Sequence, residues 1–171
     1  MRKILVVIDM QNDFIDGSLG TKDAVAIVPK VVEKIKTYDP SNVYATQDTH
    51  YDYFKTQEGR LLPVEHCISG TKGWKLRKEV AELIKDNLFP KNTFGSSTLA
   101  RELNIMSSKE EIEIEIVGLT TDICVISNAL LFKACMPEVK ITVDSACCAG
   151  TTPDKHTAAL EVMKSCQIIV N

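Results

Sequence analysis

The sequence predicts an α/β fold: a three-layer sandwich in which a six-stranded, mostly parallel sheet carries helices on both faces. Three observations point there. Short apolar or alternating runs recur along the chain with helical patterns between them, the rhythm of strand–helix–strand units. The first run, Ile4–Ile8, is apolar at every position, as a strand buried on both faces must be. No internal repeat, low-complexity tract or linker rich in Pro, Gly or Ser divides the chain, so residues 1–171 are expected to form a single domain.

The remaining elements follow in order. Asn42–Gln47 reads as a second strand and Asn87–Pro90 as a short third. Glu111–Val117 alternates Glu with Ile before turning wholly apolar, a strand that enters the core from a wet edge. Val139–Val143 and Gln167–Val170 complete the six. Between them, Ile27, Val28, Val31, Val32 and Ile35 keep helical spacing, with Pro29 placed in the first turn. Trp74, Leu76, Val80, Leu83 and Ile84 form a looser second stripe. Ser96 or Ser97 is expected to cap a short helix through Leu103, and Asp122–Cys135 is a long helical pattern stopped by Met136-Pro137. Thr152-Pro153 opens the last helix, an N-cap followed by proline at the first helical position. The stretch from Asp48 to Gly73 follows neither period, and its aromatics, histidines and proline favour a functional loop.

Composition narrows the function. Apolar residues make up 44% and charged residues 25%, as in an ordinary globular protein. The net charge of -3, with neither sign in long blocks, weighs against nucleic acid or an anionic membrane as partner. No run approaches the roughly 18–20 apolar residues of a spanning helix. Met1-Arg2-Lys3 leads into an apolar run too short for a secretory signal, so a cytoplasmic protein with reduced thiols is expected. The six cysteines include no C-x-x-C pair, which removes the zinc-ribbon and thioredoxin-type spacings.

In an open parallel sheet, ligands bind at the carboxyl ends of the strands. Asp9 closes the first predicted strand, Asp48 and His50 the second, and Lys91 follows the third. Gly118 through Cys124 follows the fourth, and Asp144-Ser145 the fifth. With Thr121 as N-cap, Cys124 sits in the first helical turn, where the helix end favours a thiolate and free N–H groups can hold an oxyanion. The plainer alternative is a buried cysteine without chemistry. Asp9, desolvated at the end of an apolar run, is either a base with a raised pKa or a loop-capping group. Lys91 is either the cation of the site or a solvated side chain. Together a thiol, a base and a cation suit amide hydrolysis through a thioester. Asp48, His50 and His66 form a second constellation, able either to hold Zn²⁺, Fe²⁺ or Mn²⁺ or simply to hydrogen-bond, with Glu58 a candidate fourth ligand and Cys67 an outside one. His156 reads as a surface or satisfied core histidine.

Residues Val7-Ile8-Asp9-Met10-Gln11-Asn12-Asp13-Phe14, Thr46-Gln47-Asp48-Thr49-His50, Leu62 through Cys67, Gly70-Thr71, Lys91 and Gly118 through Val125 resemble the isochorismatase-like cysteine hydrolases, and within them the nicotinamidases most. The likeness runs in order from residue 4 to about 150. It implies a Rossmann-like, three-layer α/β fold and a triad of Asp9, Lys91 and Cys124. Asp9 would take the thiol proton, Lys91 would hold the charges, and Cys124 would attack a carboxamide. It further implies a cis peptide before Thr120, with the Thr120 and Cys124 N–H groups as oxyanion hole. One divalent metal, zinc first among the choices, would sit on Asp48, His50 and His66 and position a pyridine ring. Phe14, Phe94 and Trp74 are candidate ring-packing residues. The sequence departs from the family where Thr49 replaces a common Trp and Phe94 a common Tyr, both near the substrate. Nicotinamide hydrolysis is therefore the leading expectation, in a homo-oligomer acting on a small molecule. An N-carbamoyl or ureido amidohydrolase is the alternative within the same chemistry, and a non-catalytic binding or thiol-redox protein, suggested by Cys147-Cys148, the alternative outside it.

Overall fold

A computed structural model describes residues 1–171. Its centre is β1 (Arg2–Ile8), where Ile4 through Ile8 are fully buried. Because strand side chains alternate, Ile4, Val6 and Ile8 enter one apolar layer while Leu5 and Val7 enter the other. β1 pairs with β2 (Val43–Asp48) on one side and with β4 (Ile112–Leu119) on the other. β3 (Leu88–Lys91) flanks β2, and β5 (Lys140–Ala149) and β6 (Ile169–Val170) extend the far side. The order is β3-β2-β1-β4-β5-β6 and every pairing is parallel. The chain winds outward from β1, returns to β4 beside it, and winds outward again. That reversal opens a crevice between the carboxyl ends of β1 and β4.

Helices α1 (Asn12–Ile15), α2 (Lys22–Lys36) and α4 (Lys78–Ala81) cover the Leu5/Val7 face, burying Ile15, Ile27, Val31, Ile35 and Val80. The opposite face carries α5 (Ser97–Ser107), α6 (Ile126–Cys135) and α7 (Pro153–Ser165), with Leu99, Leu103, Phe132 and Met163 fully buried. Ser96 and Thr152 cap α5 and α7 as expected, accepting from Leu99 N and Lys155 N. No helix is long and apolar enough to cross a membrane.

Three expectations are corrected. Pro29 lies in the middle of α2, because Thr21 caps that helix by accepting from Ala24 N, and the helix therefore starts well before the proline. Pro29 is exposed, as is Val25, whose carbonyl the proline leaves without a donor. The stripe from Trp74 to Ile84 forms only the single turn α4, with Trp74 in the preceding loop. Asp144-Ser145 does not end a strand. β5 shifts register against β4 between Ile116 and Gly118, then runs on to Ala149, and Asp144 is neutralised by Lys34 at 2.8 Å.

β4 stays in register with β1 to the end, pairing Gly118 with Ile8, and the Gly118 φ of 120° suits only glycine. A Cβ there would stand 2.1 Å from the Ile8 carbonyl oxygen. Gly118→Ala is expected to cost about 2 kcal/mol or more in denaturant titration; an unchanged midpoint would show that β4 can back away from β1.

Candidate active site

The crevice collects the side chains singled out at the strand ends. Asp9, which follows β1 with a positive φ of 44°, turns its carboxylate under the sheet edge. Lys91, the last residue of β3, places its ammonium 2.6 Å from Asp9 Oδ2 and 3.6 Å from Cys124 Sγ. All three are buried. Thr46, two residues before Asp48 on β2, donates its hydroxyl to Asp9 Oδ1 at 2.7 Å and accepts from Asp9 N at 3.2 Å. Thr46 was not among the residues singled out in the sequence, although its spacing of two residues from Asp48 puts both on the same strand face.

Cys124 is not in the position the sequence suggested. Thr120 rather than Thr121 is the cap, and Thr121–Val125 forms a wide turn closed by Val125 N donating to Thr120 O before α6 begins. The Thr121 hydroxyl is drawn away to His156 Nδ1 at 2.7 Å, and Asp122 takes the N–H and hydroxyl of Thr151. His156 thus ties α7 to this turn. The Leu119–Thr120 peptide bond is cis, as the family resemblance implied, and the Thr120 N–H donates to no group of the chain. Asn128, one helical turn after Cys124, donates to the Cys124 carbonyl at 2.8 Å and to Phe94 O, and accepts from Ser96 N. It was also missed, though its i+4 spacing from the cysteine was visible.

Electrostatics corrects a second expectation for Cys124. Burial and then the negative charge of Asp9 raise its thiol well above the ordinary value, and Lys91 only partly opposes them. The resting group is therefore a thiol, not a thiolate stabilised by a helix end. Burial also raises the Asp9 carboxyl, against Lys91 and with Asp48. Lys91, despite its burial, is held charged by Asp9, Cys124 and Asp48.

The second constellation closes as well. Asp48, His50 and His66 bring one ligand atom each within 4.8 Å of one another, all from buried residues. His50 Nε2 lies 2.9 Å and His66 Nε2 3.6 Å from Asp48 Oδ2. α3 (Gln57–Leu61) brings Glu58 to 3.4 Å from His66 and 3.8 Å from His50. Burial disfavours the imidazolium of His66, yet Asp48 and Glu58 push it up to about 10. His66 Nδ1 is engaged with the Val64 carbonyl at 2.9 Å, which leaves Nε2 as the ligand atom. Two carboxylates around two imidazoles, with excess negative charge, fit a divalent cation. Cys67 points elsewhere, into the layer of Leu5 and Val7.

Both constellations border one cavity of about 260 Å³, lined by Asp48, Glu58, His66, Thr120 and Cys124 and otherwise by apolar side chains that include Phe14, Leu19 and Phe94. Trp74 does not reach it: its indole N–H donates to Thr49 Oγ1 at 2.9 Å and its ring packs beside the α2 layer.

A family model described as an isochorismatase domain matches residues 3–171. The nicotinamidase/pyrazinamidase of Mycobacterium tuberculosis is 26% identical over 181 residues, covering 97% of this chain and 96% of that one. The solved structure of a nicotinamidase from Bacillus subtilis superposes with a TM-score of 0.82 at 28% identity, covering 99% of each chain. The pyrazinamidase of Pyrococcus horikoshii, solved in complex with zinc, shares the fold with a TM-score of 0.81 at 24% identity over 100% of this chain and 99% of that one.

A thiol with a raised pKa reacts slowly at neutral pH and faster as pH climbs. Iodoacetamide labelling of Cys124, followed by mass spectrometry, should keep accelerating as pH rises above the ordinary thiol range of about 8.5. A Cys124 rate that is flat from neutral pH upward would mean a resting thiolate.

Proposed function

The chain belongs to the isochorismatase family, and from that premise we propose that it is a nicotinamidase, hydrolysing nicotinamide to nicotinate and ammonia through a thioester on Cys124. One observation carries the reading: a thiol beside a buried Asp–Lys pair and a ligand-competent Asp–His–His cluster face the same small, mostly apolar cavity. The names borne by the Mycobacterium tuberculosis and Bacillus subtilis relatives support the substrate.

Asp48, His50 and His66 would hold one divalent ion, zinc by our reading with iron or manganese as alternates, and Glu58 is the candidate fourth ligand. When bound, that ion supplies an anchor for the pyridine nitrogen of the substrate. Phe14 and Phe94 pack the ring and exclude water. Asp9 removes the thiol proton as Cys124 sulfur attacks the carboxamide carbon. The Thr120 N–H, with that of Cys124, receives the developing oxyanion. Asp9 then returns the proton to the amide nitrogen, the C–N bond breaks, and ammonia leaves a thioester. Water attacks the thioester carbon and gives one proton to Asp9, which passes it to sulfur as the C–S bond breaks; the acid formed keeps the other, yields it to the released ammonia and departs as nicotinate, and the thiol is restored.

Lys91 makes the first transfer feasible in a buried site. Moving the proton from Cys124 to Asp9 shifts the negative charge from one neighbour of the ammonium to the other, so the ion pair survives without water. An N-carbamoyl or ureido amidohydrolase would use the same triad but leaves the Asp48–His50–His66 cluster without a role. A thiol-redox role finds no dithiol, since Cys147 and Cys148 enter opposite layers of the sheet. On this reading residues 1–171 are one cysteine hydrolase domain, and the protein works as a cytoplasmic homo-oligomer in NAD salvage.

Purified protein should release ammonia from nicotinamide, and Cys124→Ala should lower turnover by at least about a thousandfold. Turnover of a ureido compound with none of nicotinamide would replace this reading with its runner-up. Elemental analysis should find one divalent metal per chain in the wild type and little in His50→Ala.

A further inference from the structure

The segment after β1 holds more than the base. Gln11 is fully buried, and its side-chain amide is spent on backbone alone. Its Oε1 accepts from Asp48 N at 2.7 Å, while its Nε2 donates to Asp48 O at 2.8 Å and to Trp74 O at 2.7 Å. The amide therefore grips Asp48 by both its N–H and its C=O, as a neighbouring strand would, at the point where β2 ends. Two residues on, Asp13 Oδ2 accepts from Cys67 N at 2.8 Å, next to His66, while Asp13 N donates to Gly73 O. A Cβ at Gly73 would stand 2.1 Å from Asp13 Oδ2, so only glycine lets the carboxylate reach this place. Cys67 itself has a φ of 49°, a turn that needs an outside partner to hold it.

We infer that Gln11 and Asp13 are positioning residues that set the spacing of Asp48 and His66 and lock both to the base Asp9. Neither side chain touches the cavity; each acts through the backbone of a candidate ligand or of its neighbour. Alternate residues of one short segment thus carry three tasks: Asp9 takes protons, Gln11 holds the end of β2, and Asp13 holds the loop of His66. The inference rests on the metal reading above and deepens it. Outer partners of this kind change metal affinity by roughly 10–100-fold.

The test compares wild type with Gln11→Met, which keeps length and removes the side-chain hydrogen bonds, with Gln11→Glu, which keeps an acceptor for Asp48 N, and with Asp13→Ala and Asp13→Asn. Zn²⁺ affinity is measured by competition with a chromogenic chelator, the visible spectrum is recorded after Co²⁺ loading, and the unfolding midpoint is taken in chelator. Gln11→Met and Asp13→Ala should bind Zn²⁺ at least tenfold more weakly with altered Co²⁺ bands, while their metal-free chains, though less stable for the lost hydrogen bonds, still unfold cooperatively. Asp13→Asn, which keeps an acceptor for Cys67 N, should recover most of the loss. Equal affinity and unchanged bands in a wild type that does bind metal would overturn this inference alone. A wild type that binds no divalent ion would overturn it together with the metal reading. If Gln11→Met and Gln11→Glu both fail to fold, Gln11 is a fold determinant and the inference is likewise lost.

Discussion

Asp9 and Lys91 face each other at 2.6 Å with almost no exposure to solvent, and much of the site is arranged around that pair. Burying one carboxylate and one ammonium costs several kcal/mol per ion unless geometry and further hydrogen bonds compensate. The compensation comes from parallel strand register. Asp48 pairs with Lys91 across β2 and β3, and Thr49 N donates to Lys91 O, so the lysine is fixed at the rim before its side chain turns inward. Thr46, two residues back on β2, supplies the remaining hydrogen bond to Asp9. Three adjacent strand ends thus share one charged pair. A shift of one residue in any of them would leave an ion unpaired.

Asp48 links this pair to the histidines. Its Oδ1 stands 3.6 Å from Lys91 while its Oδ2 faces His50 and His66. Its burial would raise the carboxyl, but the two histidines and Lys91 hold it far below the usual carboxylate range. It is therefore an anion under all ordinary conditions, able to serve as a ligand on one side and a counter-charge on the other. The two constellations that looked separate in sequence are one electrostatic unit with Asp48 as the shared member.

How much of this was legible depended on the kind of residue. Asp9, Lys91 and Cys124 stood out because charge or a thiol at the end of an apolar run is chemically conspicuous, and fold topology alone then sends strand ends to one rim. His50 and His66 stood out because the chain has only three histidines. Thr46, Gln11 and Asn128 did not, since a neutral polar side chain reveals its task only through its hydrogen-bond partners, and those are set by tertiary structure. Trp74 misled in the opposite sense: an aromatic ring near a functional loop suggested a substrate contact, but its N–H needed Thr49 and turned it away from the cavity. Pro29 misled because local propensity was weighed without the cap at Thr21. The long extension of β5 was hidden by a register shift, which breaks the alternation that strand reading relies on.

The raised thiol of Cys124 bears on what the cavity selects. A cysteine at a helix end, resting as a thiolate, would react with any electrophile that reached it. Here burial and Asp9 keep the proton on sulfur, so the sulfur becomes nucleophilic only as the carboxylate accepts that proton beside Lys91. That exchange keeps the charge within the Lys91 pair, whereas loss of the proton to solvent would put a second anion against Asp9. In the proposed reaction, selectivity then lies less in the thiol than in the geometry around it. A carboxamide must sit within reach of Cys124 with its oxygen toward the Thr120 N–H, and the fixed positions of Asp48 and His66 across the cavity determine which flat, nitrogen-bearing rings can be held there.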